Sequence, residues 1–232
     1  MATNRPLLPD RLPADPMPIA AAWLADAWQQ RVQPNPDAMV LATVDGQGRP
    51  SARVVLCKEI VADPGFLLFY TNYNSRKGRE IAASRRGATV MYWDGMQRQL
   101  RIEGPIVKAL SAENDAYFAS RDWQRRVGAW ASQQSEPIES RARMLEAVRQ
   151  AAARFGTPDA LEPAKPGDVV ARDFPVPRPP HWGGYRLWAD TVELWVEGEY
   201  RIHDRARWTR ALTPVSEHDF RVGSWTATRL QP

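Results

Sequence analysis

The sequence predicts a mainly β protein with flanking helices, its strands antiparallel and arranged as a barrel or sandwich. Three observations carry this. Strand-like runs follow one another from Ala38, most of them joined by tight turns at DGQGRP, DPG and DGM, and connections that short join antiparallel neighbours. Helical spacing of apolar residues is confined to a few segments. β-like patterning then resumes in GYRLWA, TVELWV, EYRIHDR and FRVGSWTATRL.

Taken in order, residues 1–17 are Pro-rich and predict an irregular arm. PIAAAWLADAWQQRV spaces Ile19, Trp23, Leu24, Trp28 and Val32 as a helix does, with Asp15 as a candidate N-cap. AMVLATVD, SARVVLCKEI and FLLFYT read as strands, and a short helix is expected over Arg76 to Ser84. ATVMYW and QRQLRIEGPIVKAL follow as strands, the second interrupted at Gly104-Pro105. Ser111 is placed to cap a helix running to about Ser120. A longer helix is expected from Pro137 to Phe155, with Ile138, Leu145, Val148, Ala152 and Phe155 on one face and Gly156 ending it. Residues 157–180 hold seven prolines and predict a long loop.

The bulk properties set bounds. A chain of 232 residues with 44% hydrophobic content buries a sizeable core. A net charge of +4 suits anionic ligands. The basic residues are spread over several segments rather than one stripe, which argues against a nucleic-acid binder. Cys57 is the single cysteine, so no internal disulfide forms, as suits a reducing cytoplasm. No apolar run approaches the roughly 18 residues that span a bilayer, and the first residues have no secretory pattern. Ten tryptophans supply core, and also surfaces for flat aromatic ligands or a dimer interface. Three scattered histidines and one cysteine give no metal-ligand spacing, so no metal is expected.

Four segments concentrate chemistry. In YTNYNSRKGREI, Arg76 and Lys77 fall on the first turn of a helix, where the helix dipole already disfavours cations. A phosphate above the free N–H groups, with Ser75 at the N-cap, resolves the conflict; a solvated basic turn is the plainer alternative. In SARVVLCKEI, alternation puts Arg53, Val55 and Cys57 on one face and Val54, Leu56 and Lys58 on the other. Arg53 and Lys58 then either snorkel at sheet edges or reach an anionic ring system. In YFASRDWQRRVGAWASQQS, Arg121, Arg125 and Arg126 follow Tyr117, as a second anion site or as a basic loop. In EYRIHDR, extended alternation would place Arg201, His203 and Arg205 on one face near Trp195.

Together, LPADPM, RVVLCK, FYTNYNSRKGREI, RQLRIEG, YFASR, VGAWASQQS, HWGGYR, VELW and RIHDR resemble, in order from about Leu12 to the end, the pyridoxamine 5′-phosphate oxidase family. The resemblance implies a homodimeric FMN-binding split β-barrel over 18–232: a flavin-binding barrel to about residue 156, the loop, and C-terminal dimerisation strands from 181. It implies that Arg53, Arg76 and Lys77 hold the FMN phosphate. Residues Arg53, Val54, Val55, Leu56, Cys57 and Lys58 would run along the flavin, with Tyr70, Thr71 and Gln99 beside it. Gln134, Ser135, Trp195 and Arg205 would come from the partner subunit. Lys58, Tyr117 and Arg121 would hold the substrate phosphate, and Arg201 and His203 would bracket the pyridine ring as catalytic residues. The implied reaction converts the phosphorylated B6 vitamers pyridoxamine and pyridoxine 5′-phosphate to pyridoxal 5′-phosphate, with O2 reduced to hydrogen peroxide.

Three departures stand out. Asp122, Trp123, Gln124, Arg125 and Arg126 replace the usual proline, arginine, any residue, serine and glutamine, so Arg125 stands where a small hydroxyl helps bind substrate phosphate. The N-terminal arm is short, and the 157–180 loop is long. The alternatives are a phenazine-type flavin oxidase of the same fold and a non-catalytic flavin or pyridoxal-phosphate carrier. Lys58, Tyr117 and Arg121 favour the phosphorylated substrate.

Overall fold

The computed structural model describes residues 7–161 and 174–232. The chain forms two compact units: one of residues up to Tyr70 with Glu80–Lys108 and Tyr185–Pro232, the other of Thr71–Arg79 with Ala109–Gly184.

The first unit is built on strands β1 (Ala38–Val44), β2 (Pro50–Val61), β3 (Phe66–Asn72), β4 (Arg86–Trp93), β5 (Arg98–Lys108), β6 (Trp182–Trp188), β7 (Thr191–Val196) and β8 (Asp204–Thr209). Strands β9 (Leu212–Pro214) and β10 (Phe220–Val222) pair with each other, and β11 (Thr226–Leu230) pairs with β8. Six strands in the order β5-β4-β1-β2-β3-β6 close into an antiparallel barrel, because β6 also pairs with β5. The β7, β8 and β11 strands extend the sheet outward from β5. The predicted antiparallel barrel is the observed architecture.

Closure depends on Gly104-Pro105. Strand β5 is continuous along β4, where Gly87 faces Gly104 and Arg86 faces Pro105. Its other edge changes partner there, from β7 at residues 98–103 to β6 at 106–108. The interruption expected in the strand is therefore a change of partner. At Gly104 an added Cβ would lie 1.8 Å from the Trp188 carbonyl oxygen, so only glycine admits the approach.

Leu41, Leu67, Phe69, Trp93, Leu100, Ile102 and Leu194 fill this unit's core, each burial worth about 1.5–3 kcal/mol before entropy is counted. Two core tryptophans satisfy their polar handles: Trp93 donates to the Pro36 carbonyl at 2.8 Å and Trp208 to that of Pro13 at 2.9 Å. Helix α1 (Met17–Gln30) buries Met17, Ala20, Trp23, Leu24 and Ala27. Asp15 accepts from the Met17 N–H at 2.8 Å, so the expected cap acts at the helix start although Pro16 occupies the N-cap position.

Helix α2 (Arg76–Ser84) begins and ends where predicted. Its first turn belongs to the second unit. That unit contains α3 (Ser111–Ala119), α4 (Trp123–Ala131) and α5 (Arg141–Arg154). Val127, Val148, Ala151, Ala152 and Val176 form its apolar centre, with Trp123, Trp130 and Phe155 packed around it.

The segment that offered an anion site or a basic loop forms helix α4, and two expectations here are corrected. Ser111 is the first residue of α3 rather than its cap; Glu113 instead reaches back to accept from the Leu110 N–H at 3.0 Å. Helix α5 starts at Arg141, capped by the Ser140 hydroxyl, which leaves Ile138 exposed. Gly156 follows α5 with φ 63°, the left-handed conformation that suits a helix end. Of the loop predicted over 157–180, residues 162–173 lie outside the described residues, as do 1–6 of the arm.

Candidate active site

In the first unit, β2 alternates as expected up to its bulge between Cys57 and Glu59. Cys57 is buried, Val55 partly so, and Val54 and Leu56 point to solvent. Burial pushes the Cys57 thiol up to about 12, so it is a packing residue rather than a nucleophile. Both cations of this strand are paired. The Lys58 ammonium lies 3.0 Å from the carboxylate of buried Asp37. The Arg53 guanidinium donates to the Leu41 carbonyl at 3.2 Å and Glu80 Oε2 at 3.0 Å, and to the hydroxyls of Thr43 and Ser51. Snorkelling at a sheet edge does not describe Arg53, which enters a closed polar network.

A second group in this unit is a cross-strand row. Tyr92 faces Gln99, Gln99 faces Trp195, and Trp195 faces Arg205. Directly opposed residues share a face, so Gln99, Trp195 and Arg205 of one chain stand in one row. Arg205 is held by Glu193 Oε1 at 3.0 Å through Nε and 2.8 Å through Nη2. Glu193 also accepts from Arg101 at 3.2 Å. The rings of Trp195 and His203 lie 4.7 Å apart, and His203 Nδ1 accepts from the Gly198 N–H at 3.3 Å. Nε2 is then the nitrogen that carries the proton in the neutral ring.

The expected alternation of Arg201, His203 and Arg205 along one strand is corrected. Residues Glu199–Arg201 form a tight 3-10 turn, and β8 starts only at Asp204. Tyr200 and Arg201 both take positive φ, 56° and 65°, a conformation uncommon outside glycine. The turn leaves Tyr200, Arg201 and Ile202 exposed.

In the second unit, the opening of α2 makes a compact polar nest. Ser75, fully buried, is the expected N-cap: its Oγ accepts from the Gly78 N–H at 3.3 Å. Lys77 is also buried, and its ammonium donates to Thr71 Oγ1 at 3.1 Å, Ser75 Oγ at 3.3 Å and Gln134 Oε1 at 2.7 Å. Thr71, Lys77 and Gln134, far apart in sequence, are thus brought together. Gln134 and Ser135 are exposed, Ser135 with φ 77°, and Arg76 also faces solvent.

The last group surrounds Trp182. Tyr117 stacks on it with centroids 6.1 Å apart and planes within 5°. The Arg121 guanidinium lies 4.8 Å from the centroid of the same ring. Burial holds Arg121 below the usual arginine range, and its Nη1 is buried with no hydrogen-bond partner among the described residues. A buried donor without a partner is costly, and an anionic ligand would satisfy it. Arg125 is solvent-exposed and 3.5 Å from Asp122. Tyr70 lies partly buried on β3.

Sequence reasoning missed Asp37, Thr43, Ser51 and Glu80, the partners of the two β2 cations. Glu80 follows Arg76 by one helical turn in RKGRE, but nothing in that spacing separates a solvated ion pair from a buried one. Among the described residues, no group of three or more His, Cys, Asp or Glu is placed to hold a metal ion. No helix among them is long and apolar enough to cross a membrane.

Two family models match the chain: pyridoxamine 5′-phosphate oxidase over residues 24–155, and the pyridoxine 5′-phosphate oxidase C-terminal dimerisation region over 182–232. The chain is 46% identical over 211 residues to a pyridoxine/pyridoxamine 5′-phosphate oxidase of Paraburkholderia phytofirmans, covering 89% of this chain and 86% of that one. Among solved structures it resembles PhzG from Burkholderia lata, in complex with tetrahydrophenazine-1-carboxylic acid, with a TM-score of 0.78, 29% identity, and coverage of 96% of this chain and 95% of that one. A pyridoxamine 5′-phosphate oxidase-related, FMN binding protein from Nostoc punctiforme shares the fold, with a TM-score of 0.65, 17% identity, and coverage of 95% of this chain and 100% of that one.

Proposed function

The chain belongs to the pyridoxamine 5′-phosphate oxidase family, and on that premise we propose that it is the FMN-dependent oxidase that converts pyridoxamine and pyridoxine 5′-phosphate to pyridoxal 5′-phosphate, reducing O2 to hydrogen peroxide. The observation that carries this reading is the 46% identity to an enzyme of that name across 89% of the chain. The 29% identity to PhzG leaves the phenazine-type alternative behind it.

The donor sets fit a phosphorylated flavin and a phosphorylated substrate. FMN supplies a hydride acceptor and passes the electrons on to O2; what remains is binding and orientation. The reading assigns Arg53, Arg76 and Lys77 to the flavin phosphate, with Thr71, Gln134 and Ser135 beside them. Lys77 already holds three oxygen acceptors, and the exposed Gln134 carbonyl is the one a phosphate oxygen displaces. The segment Arg53–Lys58, Tyr70, Gln99, Trp195 and Arg205 take the ring system. In the proposed homodimer Gln99 meets the ring system from one subunit, and Trp195 and Arg205 meet it from the other.

Lys58, Tyr117 and Arg121 are assigned to the substrate phosphate, and the unpartnered Arg121 Nη1 supports this. Arg125 is exposed and beside Asp122, and the reading gives it an outer contact at most. Arg201 and His203 hold the pyridine ring. The oriented His203, with Nδ1 fixed by Gly198, keeps one defined face toward a ligand. The match to a dimerisation region over 182–232 supports a homodimer. The reading places the enzyme in the cytoplasm, where the buried Cys57 stays a thiol.

The test is aerobic turnover. Purified protein with FMN is given each vitamer phosphate, and pyridoxal 5′-phosphate and hydrogen peroxide are quantified together. Equimolar formation of both is expected. Retained flavin with neither product contradicts the proposal.

A further inference from the structure

Arg53 has been assigned to an anion, yet its environment is already full. A guanidinium carries four N–H donors on its two terminal nitrogens and a fifth on Nε. Nη1 serves the Leu41 carbonyl and Thr43 Oγ1; Nη2 serves Ser51 Oγ and Glu80 Oε2. The two hydroxyls pass the interaction on, since Thr43 and Ser51 both donate to Glu80 Oε2, Ser51 at 2.7 Å. Glu80 is 4% exposed. This is a closed ring: one buried carboxylate oxygen receives three donors and, directly or through a hydroxyl, fixes the guanidinium that sits on β2.

Resting on the reading that Arg53 serves the flavin phosphate, we infer that Glu80 is a positioning residue for that contact, and the resident counter-ion against which phosphate binding is measured. Two consequences follow. The guanidinium reaches a phosphate through Nε–H, or through a terminal nitrogen that lets go of a present partner; it does not meet the phosphate as a free two-pronged fork. Second, Glu80 opposes the phosphate electrostatically. Without ligand it neutralises a half-buried cation, and removing one member of such a pair leaves the other uncompensated. A phosphate takes over that compensation. Loss of the Glu80 charge therefore weakens the ligand-free protein more than the FMN-bound protein, and tightens FMN.

The sign distinguishes this role from a structural one. Glu80→Gln keeps an oxygen to accept from the hydroxyls and removes the charge. We titrate FMN and riboflavin into wild type, Glu80→Gln and Arg53→Gln, following flavin fluorescence. Riboflavin lacks the phosphate and reports everything else about the site. The expected result is an FMN-to-riboflavin affinity ratio that rises on the order of tenfold in Glu80→Gln and falls in Arg53→Gln. A ratio that stays or falls in Glu80→Gln, while Arg53→Gln lowers it, overturns the role of Glu80 and leaves the phosphate assignment standing. A ratio unmoved by either variant overturns both. If ligand-free Glu80→Gln does not hold its fold, it is refolded with saturating FMN or riboflavin. Recovery with FMN alone supports the inference; recovery with neither, or equally with both, overturns it.

Discussion

Lys77 Nζ lies 2.7 Å from Gln134 Oε1, joining residues 57 positions apart in sequence. The ammonium is buried, and Thr71 and Ser75 occupy its other donors. Under the proposed assignment, a flavin phosphate at this helix N-terminus balances the buried ammonium, which is why the first turn of α2 would carry basic residues.

Lys77→Gln is therefore expected to weaken FMN binding by about ten- to a hundredfold, the scale of one hydrogen bond to a charged group. Riboflavin binding should change little. Flavin fluorescence titration of both ligands checks this. Gln134→Ala, which removes an exposed partner, should cost less.

Arg121→Ala is expected to raise KM for pyridoxine 5′-phosphate by about a hundredfold through loss of a charge-assisted contact. The absorbance of the bound flavin should not move. Steady-state kinetics with the phosphorylated substrate, beside a spectrum of the holoprotein, separates the two effects. Arg121→Lys should recover little, because the compact ammonium does not reproduce the delocalised guanidinium that lies over the Trp182 ring.

Gly104→Ala tests barrel closure. Its Cβ would meet the Trp188 carbonyl at 1.8 Å, and backbone has to move to admit it. Destabilisation of about 3 kcal/mol is expected, read as a lower midpoint in urea. Gly128→Ala, where an added Cβ meets nothing within 4 Å, is the control and should be neutral or mildly stabilising within α4.

The Cys57 thiol gives a pH prediction. Its folded value is pushed up to about 12 from an ordinary 9.0 by burial. Above pH 9 the unfolded chain loses this proton while the folded chain keeps it, so unfolding is favoured as pH rises. The stability contribution is complete below pH 9 and declines toward pH 12. Urea midpoints of wild type and Cys57→Ser across this range should show the steeper fall in wild type. At pH 8 a thiol-reactive dye should modify the native protein far more slowly than the unfolded one.

Much of this fold was legible because its signals are local. Turn residues at DGQGRP and DPG mark the ends of β1, β2 and β3, and Ser75 fixes the start of α2 through its own hydroxyl. Segment 199–205 failed because Tyr200 and Arg201 adopt positive φ without the glycine or asparagine that usually announces it. Helix α4 escaped notice because its clustered arginines suited an anion site or a basic loop, whereas Arg126 is buried. The candidate residues were found by resemblance more than by physics. What no local pattern supplied was pairing: that Asp37 meets Lys58, that Glu80 meets Arg53, and that Gln99 stands opposite Trp195. These depend on register and closure, which are properties of the whole barrel.

The central claim is hydride removal from a phosphorylated B6 vitamer by a bound flavin. The most direct measurement is anaerobic: FMN-loaded protein is mixed with pyridoxine 5′-phosphate and the flavin absorbance is followed. The account predicts bleaching, with pyridoxal 5′-phosphate formed in equal amount and colour restored by air. A flavin that stays bound and oxidised with both pyridoxine and pyridoxamine 5′-phosphate would contradict it.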